Sequence, residues 1–468
     1  MTQFITDTDI LASYKTDASG LFGSPDAIAR PRDYQDLKEI VLTCLQSQTA
    51  ITPIGGLSST TGAPLAPYGL ALDCTQLTGI IDLDIASDSK SATALIYPGT
   101  NLQTLKTTLE TEGWYYPPDP TSASSCTLGG TVSTNASGPG SYQYGSTHRW
   151  VEAIHMLDGA GQEQHWQRNQ VEKITLGYRF LANPLDLIIG SEGTLGVFTR
   201  IQIRLIRPPE QRTGILTFFS SLSDLLVFLQ AACQQERYPA YCLEGFDAPA
   251  LSLVTTSLTS TPPTDSLAIY LEIEHTGDVT TDKILSHWLP LLEANALVEH
   301  TSIFQSPQDF RDIYNWRQII PSLMNTQGKI ATASGGKKHS TDWCVPLNQL
   351  QNMFTFVDQI LTDADLLDLP HIRYGHFGNG HPHHNFITRN PDEDKRLTKL
   401  LPQLYQQAIN LGGTFVAEHG VGKLKAPYLK KLLDKKLFEA GRNIKQIFDP
   451  QGLMAPGNIW GDSKELFT

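Results

Sequence analysis

A-I-T-P-I-G-G-L-S-S-T-T-G-A-P, Ala50 to Pro64, is a short apolar strand running into glycines and small hydroxyl residues. Glycine has no Cβ, so backbone N–H groups along such a turn can converge on an anion. An ordinary Gly/Ser surface loop has the same composition, and this stretch alone leaves both readings open. Its surroundings add a pattern. Upstream, Leu37, Ile40, Val41, Cys44 and Leu45 recur at the spacing of one helical face, which predicts a helix over Asp33 to Leu45. Downstream, apolar segments at Gly69 to Asp73, Ile80 to Leu83 and Thr93 to Tyr97 predict strands, and Y-P-G-T leads into a helix at Asn101 to Glu110.

The chain from Trp114 to Gly145 is dense in Gly, Pro, Ser and Asn, and its apolar positions Leu128 and Val132 predict a packed, functional loop. A strand–turn–strand unit follows Trp150, with its turn at Asp158-Gly159. Leu185 to Pro209 reads as an apolar strand, a glycine-bracketed turn (I-G-S-E-G-T-L-G) and an alternating strand through Ile201, Ile203 and Leu205. Pro208-Pro209 closes it and marks a domain boundary. Beyond it the pattern predicts a helix at Ser223 to Gln235, an S/T/P-rich linker at Thr255 to Thr264, a strand at Ser266 to Glu274, and helices at Asp282 to Ala294 and near Arg442 to Phe448. The expected domains are 1–208, 209–440, and a tail 441–468 returning to the first.

The 468 residues are too many for one compact core, and 40% apolar with 18% charged residues is ordinary for a globular chain. A net charge of -13 argues against a nucleic-acid surface, which needs clustered Lys and Arg. The six cysteines form no C-x-x-C pair, so buried or free thiols are expected. The N-terminus lacks a basic region followed by an apolar run, and Gly214 to Cys233 is interrupted by serines and Asp224; the expectation is a cytoplasmic protein without a transmembrane segment.

Chemistry concentrates in R-Y-G-H-F-G-N-G-H-P-H-H-N-F, Arg373 to Phe386, and A-E-H-G, Ala417 to Gly420. Five of the 13 histidines lie here: His376, His381, His383, His384 and His419, with Glu418 beside the last. Such a set suits a divalent metal held by two imidazoles and a carboxylate, with a position open to substrate. Alternation on a strand puts His384 opposite His383 and assigns it to structure.

Several stretches together resemble the FAD-binding domain of the vanillyl-alcohol oxidase/p-cresol methylhydroxylase superfamily. They are P-I-G-G-L-S-S-T-T-G-A (Pro53 to Ala63), Y-P-G (Tyr97 to Gly99), P-P-D-P through C-T-L-G-G-T-V-S-T-N-A-S-G (Pro117 to Gly138), Y-G (Tyr144, Gly145) and I-G-S-E-G-T-L-G (Ile189 to Gly196). No G-x-G-x-x-G opens a βαβ unit, which argues against a Rossmann site. The C-terminal half is similar to the D-2-hydroxyacid dehydrogenase branch, covering D-lactate, glycolate and D-2-hydroxyglutarate dehydrogenases, through G-H-F-G-N-G-H-P-H-H-N, G-G-T-F-V-A-E-H-G-V-G-x-x-K (Gly412 to Lys425) and I-K-Q-I-F-D-P-Q-G-L-M-A-P-G-N (Ile444 to Asn458).

The resemblance implies an α+β fold: a two-subdomain FAD-binding domain of the vanillyl-alcohol oxidase type, an α+β substrate (cap) domain with an antiparallel sheet, and a C-terminal return segment. It implies cofactor contacts from Pro53, Gly55, Gly56, Leu57, Ser58, Ser59, Thr60, Pro118, Asp119, Ser125, Gly129, Gly130, Thr134, Asn135, Gly145, Glu192, Gly193 and Asn458. No histidine lies in Pro53 to Ala63, where some relatives attach flavin covalently, so non-covalent FAD is expected. His376, His383 and Glu418 are the implied metal ligands, with zinc as the metal, and His419 the implied base. Arg317, Lys338 and Asn385 are the implied substrate-binding residues; Ser340 stands where relatives carry a lysine, and His381 where they usually carry Asn.

The implied activity is oxidation of a D-2-hydroxyacid to the 2-oxoacid, with electrons passed to a quinone, a cytochrome or an electron-transfer flavoprotein. A flavoprotein oxidase of the same fold acting on another alcohol or sugar is the alternative, and a zinc hydrolase with purely structural glycine loops a further one. The residues leave the oligomeric state open, a homodimer being one form.

Overall fold

The computed structural model describes residues 4–171, 173–254 and 262–461. The chain divides into two compact units, 1–138 with 145–208 and 418–468, and 139–144 with 209–417.

The first unit holds two sheets. Ala27–Ala29, Leu70–Asp73 and Ile51–Ile54 form a parallel three-stranded sheet with Leu70–Asp73 in the middle. The helix Tyr34–Gln46 covers it, capped by Asp33, and buries Leu37, Ile40, Val41, Cys44 and Leu45, the face that periodicity predicts. The second sheet is antiparallel, in the order Ile80–Ile85, Ser91–Ile96, Gly196–Ile206, Val151–Asp158, Glu163–Gln167. The C-terminal tail closes onto the parallel sheet: Ile51 donates to Leu453 O at 2.8 Å and accepts from Ala455 N at 2.7 Å. That is the return segment expected from the sequence.

Two expected segments differ here. The apolar run at Leu185 is a helical turn, Leu185–Ile188, following Pro184 in the αR region, rather than a strand. Leu185, Leu187 and Ile188 around Asp186 are too short a pattern to separate a buried strand from a buried turn. In the Gly-rich stretch, Thr127 caps a helix, Leu128–Thr134, by accepting Gly130 N–H, and Asn135 ends it in the left-handed conformation at φ 50°. Two glycines disfavour a helix, yet Leu128 and Val132 are wholly buried and packing decides.

The second unit is built on an antiparallel seven-stranded sheet, ordered Ser302–Phe304, Gln211–Phe219, Leu267–His275, Cys242–Phe246, His371–His376, His381–Ile387, Lys338–Ser340. A 26-residue helix, Pro307–Thr332, opens with a Ser306/Asp309 capping box and buries Ile313, Trp316, Ile320 and Met324 in the sheet's core cluster. Helices Leu222–Ala232 and Thr281–Asn295 fall where the sequence predicts them. Most of the predicted linker, 255–261, lies outside the described residues. All six cysteines are free thiols. Among the described residues no helix is long and apolar enough to cross a membrane. The α+β class with its antiparallel second sheet is as expected.

Candidate functional site

In the first unit, Ile51–Ile54 delivers the glycine loop, and the loop's packing explains its glycines. A Cβ on Gly55 would lie 2.5 Å from Thr127 Oγ1, and one on Gly56 would lie 1.8 Å from Ser125 O. The glycines thus let this loop lie directly on the backbone at Ser125 to Thr127. Among the described residues, the N–H groups of Gly55, Gly56, Leu57, Ser58, Ser59 and Thr60 donate to no protein acceptor. Leu57 sits at φ 52°, a costly conformation for a branched residue that is kept where the surroundings dictate it. Consecutive half-buried amides without partners form an anion-binding concavity, and that donor set fits the pyrophosphate of FAD. Ser59 Oγ accepts Thr61 N–H at 3.1 Å, so its hydroxyl caps the turn.

The neighbouring residues are ordered around this loop. Gly129 donates to Pro98 O at 2.7 Å, and a Cβ there would meet Pro98 at 2.8 Å. Gly130 donates to Thr127, and Thr134 Oγ1 bonds back to Gly130 O. Asn135 Oδ1 accepts His148 N–H at 2.9 Å, so the side chain braces the next turn. Pro118 O accepts Lys106, Ser125 Oγ bonds Ser122 O, and Gly138 packs against Asp119 O, where a Cβ would lie 2.2 Å away. Gly145 and Gly193 both take φ 74°; a Cβ on Gly193 would lie 3.2 Å from Pro53.

Glu192 does something the motif does not reveal. At φ 49° and buried, its carboxylate accepts Val421 N–H and Gly422 N–H, each at 2.7 Å. Burial pushes its pKa up, and those amide bonds oppose the shift. Its carbonyl takes Asn458 Nδ2, which also reaches Ala63 O, while Asn458 Oδ1 accepts Lys423 Nζ at 2.5 Å. Lys423 also donates to Gly62 O and Ala63 O. Glu192 and Asn458 therefore fix the loop 418–422 and the end of the glycine loop as one body. Within it Gly420 (φ 78°) and Gly422 (φ 53°) provide the turn that adjacent Glu418 and His419 require.

In the second unit, His371–His376 and His381–Ile387 form a hairpin in which His376 faces His381 and Tyr374 faces His383. Cross-strand partners share a face, so Tyr374, His376, His381, His383 and Asn385 project to one side. The His376 and His383 rings are 5.1 Å apart, and His381 lies 4.9 Å from His383. Gly375, at φ 102°, leaves room for the cluster: a Cβ there would meet His383 Cδ2 at 2.6 Å. Gly375→Ala should shift the His383 ring, measured as a displaced His383 signal in 15N-histidine spectra. His384 is on the opposite face, fully buried against Phe386, and burial holds its pKa well below the usual histidine value.

The nitrogens are directed unequally. His376 Nδ1 lies 2.5 Å from Glu244 Oε1, so a proton on Nδ1 leaves the lone pair on Nε2. His381 Nδ1 lies 2.8 Å from Trp343 O and its Nε2 3.5 Å from Asp342 Oδ1. Protein oxygens thus face both its nitrogens, which favours His376 and His383 as the ligating pair. Asp342 also accepts Ala417 N–H, so the chain is anchored one residue before Glu418. Two imidazoles on one face, one of them set by a carboxylate, fit a divalent metal.

Arg317, from Pro307–Thr332, donates Nε–H to Glu244 Oε2 at 2.5 Å. Lys338 is on the edge strand, donates to Asn325 Oδ1 at 2.7 Å, and burial lowers its pKa to about 8, leaving it cationic at neutral pH. Lys338, Ser340 and Asn385 share the histidine face, since Lys338 pairs with Ile387 and Ser340 with Asn385. Ser340 Oγ donates to Asn385 Oδ1. Lys337 and His339 both bond Asp394, away from that face.

The family is decided by a match to the model described as "FAD linked oxidases, C-terminal domain", over residues 208–459, more than half of the chain. The chain belongs to the FAD-linked oxidase family. An FAD binding domain model matches residues 25–166 of this FAD-linked oxidase. It is 28% identical over 451 residues to a glycolate oxidase subunit of Bacillus subtilis, covering 96% of this chain and 92% of that one. It is 26% identical to a D-2-hydroxyglutarate dehydrogenase of Stutzerimonas stutzeri (97% and 96%) and 23% to a D-lactate dehydrogenase of Anaerostipes hadrus (96% and 93%). An alkyldihydroxyacetonephosphate synthase structure superposes with a TM-score of 0.71 at 16% identity, covering 97% of this chain and 82% of that one, and shares the fold. The protein is therefore an FAD-dependent oxidoreductase.

Sequence reasoning missed Glu244 and Lys423 in this FAD-linked oxidase. Glu244 lies in Y-C-L-E-G-F, and a lone carboxylate inside an apolar strand was the available signal. Lys423 lies within the quoted V-G-x-x-K motif at one of its unspecified positions.

Proposed function

We propose that the protein oxidises a D-2-hydroxyacid of the lactate, glycolate or 2-hydroxyglutarate class to the 2-oxoacid, with non-covalent FAD, a divalent metal and a separate electron acceptor. The observation that carries this reading is the face shared by His376, His383 and Asn385, with Arg317 joined to His376 through Glu244. Imidazoles suited to a hydroxyl-binding metal and a guanidinium suited to a carboxylate stand beside one another, as the two adjacent groups of a 2-hydroxyacid require. The names of the three relatives support the same substrate class.

FAD, when bound, takes up the Cα hydrogen with its electron pair. His376, His383 and Glu418 would hold a divalent metal, zinc in this reading, which would supply Lewis acidity toward the substrate hydroxyl. Arg317 takes the substrate carboxylate in a planar fork, and Lys338 adds a second cation. Asn385 keeps its amide oriented through Ser340 and Tyr374. His419 accepts the hydroxyl proton as general base. Electrons leave to a quinone, a cytochrome or an electron-transfer flavoprotein.

The test is anaerobic loss of flavin absorbance near about 450 nm with a panel of D- and L-2-hydroxyacids, before and after chelation. Bleaching by a D-acid that is lost on chelation and restored by zinc is expected. No bleaching by any member rejects the substrate class. Full bleaching after verified metal removal rejects the metal.

A further inference from the structure

We infer that Glu244 is a positioning residue that sets both substrate-facing groups at once, orienting the His376 imidazole through one carboxylate oxygen and the Arg317 guanidinium through the other. The inference rests on the proposed function for what those two side chains bind; its own content is the carboxylate between them.

Glu244 lies on Cys242–Phe246, in the interior of the seven-stranded sheet, and Gly245 pairs with Gly375, which sets Glu244 beside His376. Its side chain is 2% exposed, with Oε1 2.5 Å from His376 Nδ1 and Oε2 2.5 Å from Arg317 Nε. Burial works against its charge, and the Arg317 guanidinium and the bond to His376 oppose that and hold its pKa below the usual carboxylate range. A buried carboxylate costs several kcal/mol unless such partners compensate.

An ion pair serving only the fold needs just Arg317. The second oxygen instead fixes the imidazole with its proton on Nδ1, which leaves Nε2 as the nitrogen that carries the lone pair and raises its basicity. The bond to Arg317 takes Nε–H, the donor that an Nη1/Nη2 fork on a substrate carboxylate does not need. Trp316, next in the chain, stacks edge-on to Phe246 at 4.8 Å and holds the helix against the same strand. A single carboxylate thus sets the spacing between the group for the substrate's hydroxyl end and the group for its carboxylate end. A glutamine at 244 presents an acceptor at only one of those two positions and an N–H donor at the other.

The test uses Glu244→Gln in the full-length holoprotein. Three readouts apply: zinc affinity from metal per chain over a buffered zinc series, the His376 tautomer from 15N-histidine spectra of metal-free protein, and KM against kcat. FAD per chain serves as the folding control. The expected result is zinc binding weakened roughly 10–100-fold, a shift of His376 from Nδ1–H toward Nε2–H, and a raised KM that excess zinc does not correct. Should the buried guanidinium unfold that variant, Glu244→Gln with Arg317→Met removes the stranded charge and keeps the tautomer and zinc readouts. An unchanged His376 tautomer overturns the inference. A wild-type protein that binds no divalent metal rejects the metal in the proposed function, while the tautomer and KM still decide the role of Glu244.

Discussion

Gly56→Ala is expected to yield protein with most of its FAD lost and a lowered melting temperature. The added Cβ would lie 1.8 Å from Ser125 O, 2.8 Å from that carbonyl carbon and 3.1 Å from Cys126 Cα. All three are backbone, and that backbone is pinned. Ser125 N and Cys126 N both donate to Ser122 O at 2.8 Å, and Cys126 O accepts Leu102 N–H at 3.1 Å. The 56 position must therefore move, and it carries the amides of residues 55–60 with it. Overpacking of this kind costs about 1–3 kcal/mol, and immovable backbone puts this site at the upper end. The visible-to-280 nm absorbance ratio of purified protein and its melting curve read the two effects. Full FAD content at wild-type stability would show that the loop has slack that its contacts do not suggest.

The fold was legible where a period or a cluster was long enough to be specific. The face Leu37, Ile40, Val41, Cys44 and Leu45 recurs over two turns and is buried as one stripe. Leu185–Ile188 was not legible, because three apolar residues around Asp186 suit a strand or a turn equally and Pro184 settled the matter locally. The helix Leu128–Thr134 shows tertiary packing overriding glycine.

The site divides the same way. The alternation His381, His383, Asn385 against His384 follows from the period of a strand. The roles of Glu192 and Glu244 did not follow, because each joins segments distant in sequence: Glu192 to residues 421 and 422, Glu244 to residues 317 and 376. Residue type alone also does not reveal the structural bonds that the motif residues make. Ser59 and Asn135 are polar groups in cofactor loops, yet each has a bond bracing a turn of the chain itself.

His419→Ala should leave FAD at one per chain and slow flavin reduction by a D-2-hydroxyacid on the order of 10²-fold or more. The first half follows from how the loop is held. Thr61 Oγ1 donates to the backbone carbonyl of His419, and Glu192 grips the amides of Val421 and Gly422, so residues on both sides of the ring are fixed through main-chain groups that alanine keeps. The imidazole is only half-buried, and its removal opens no large cavity in the core. The second half follows from the chemistry. A 2-hydroxyacid hydroxyl must lose its proton as the Cα hydrogen leaves, and imidazole, with an ordinary pKa near 6.5, is a neutral acceptor at working pH. If a bound metal had already removed that proton, His419→Ala would matter little at high pH. The discriminating measurement is therefore the reduction rate across pH: a base at 419 predicts a deficit that narrows as hydroxide substitutes for the missing imidazole. Reduction at the wild-type rate at neutral pH would remove His419 as the base and leave deprotonation to the metal.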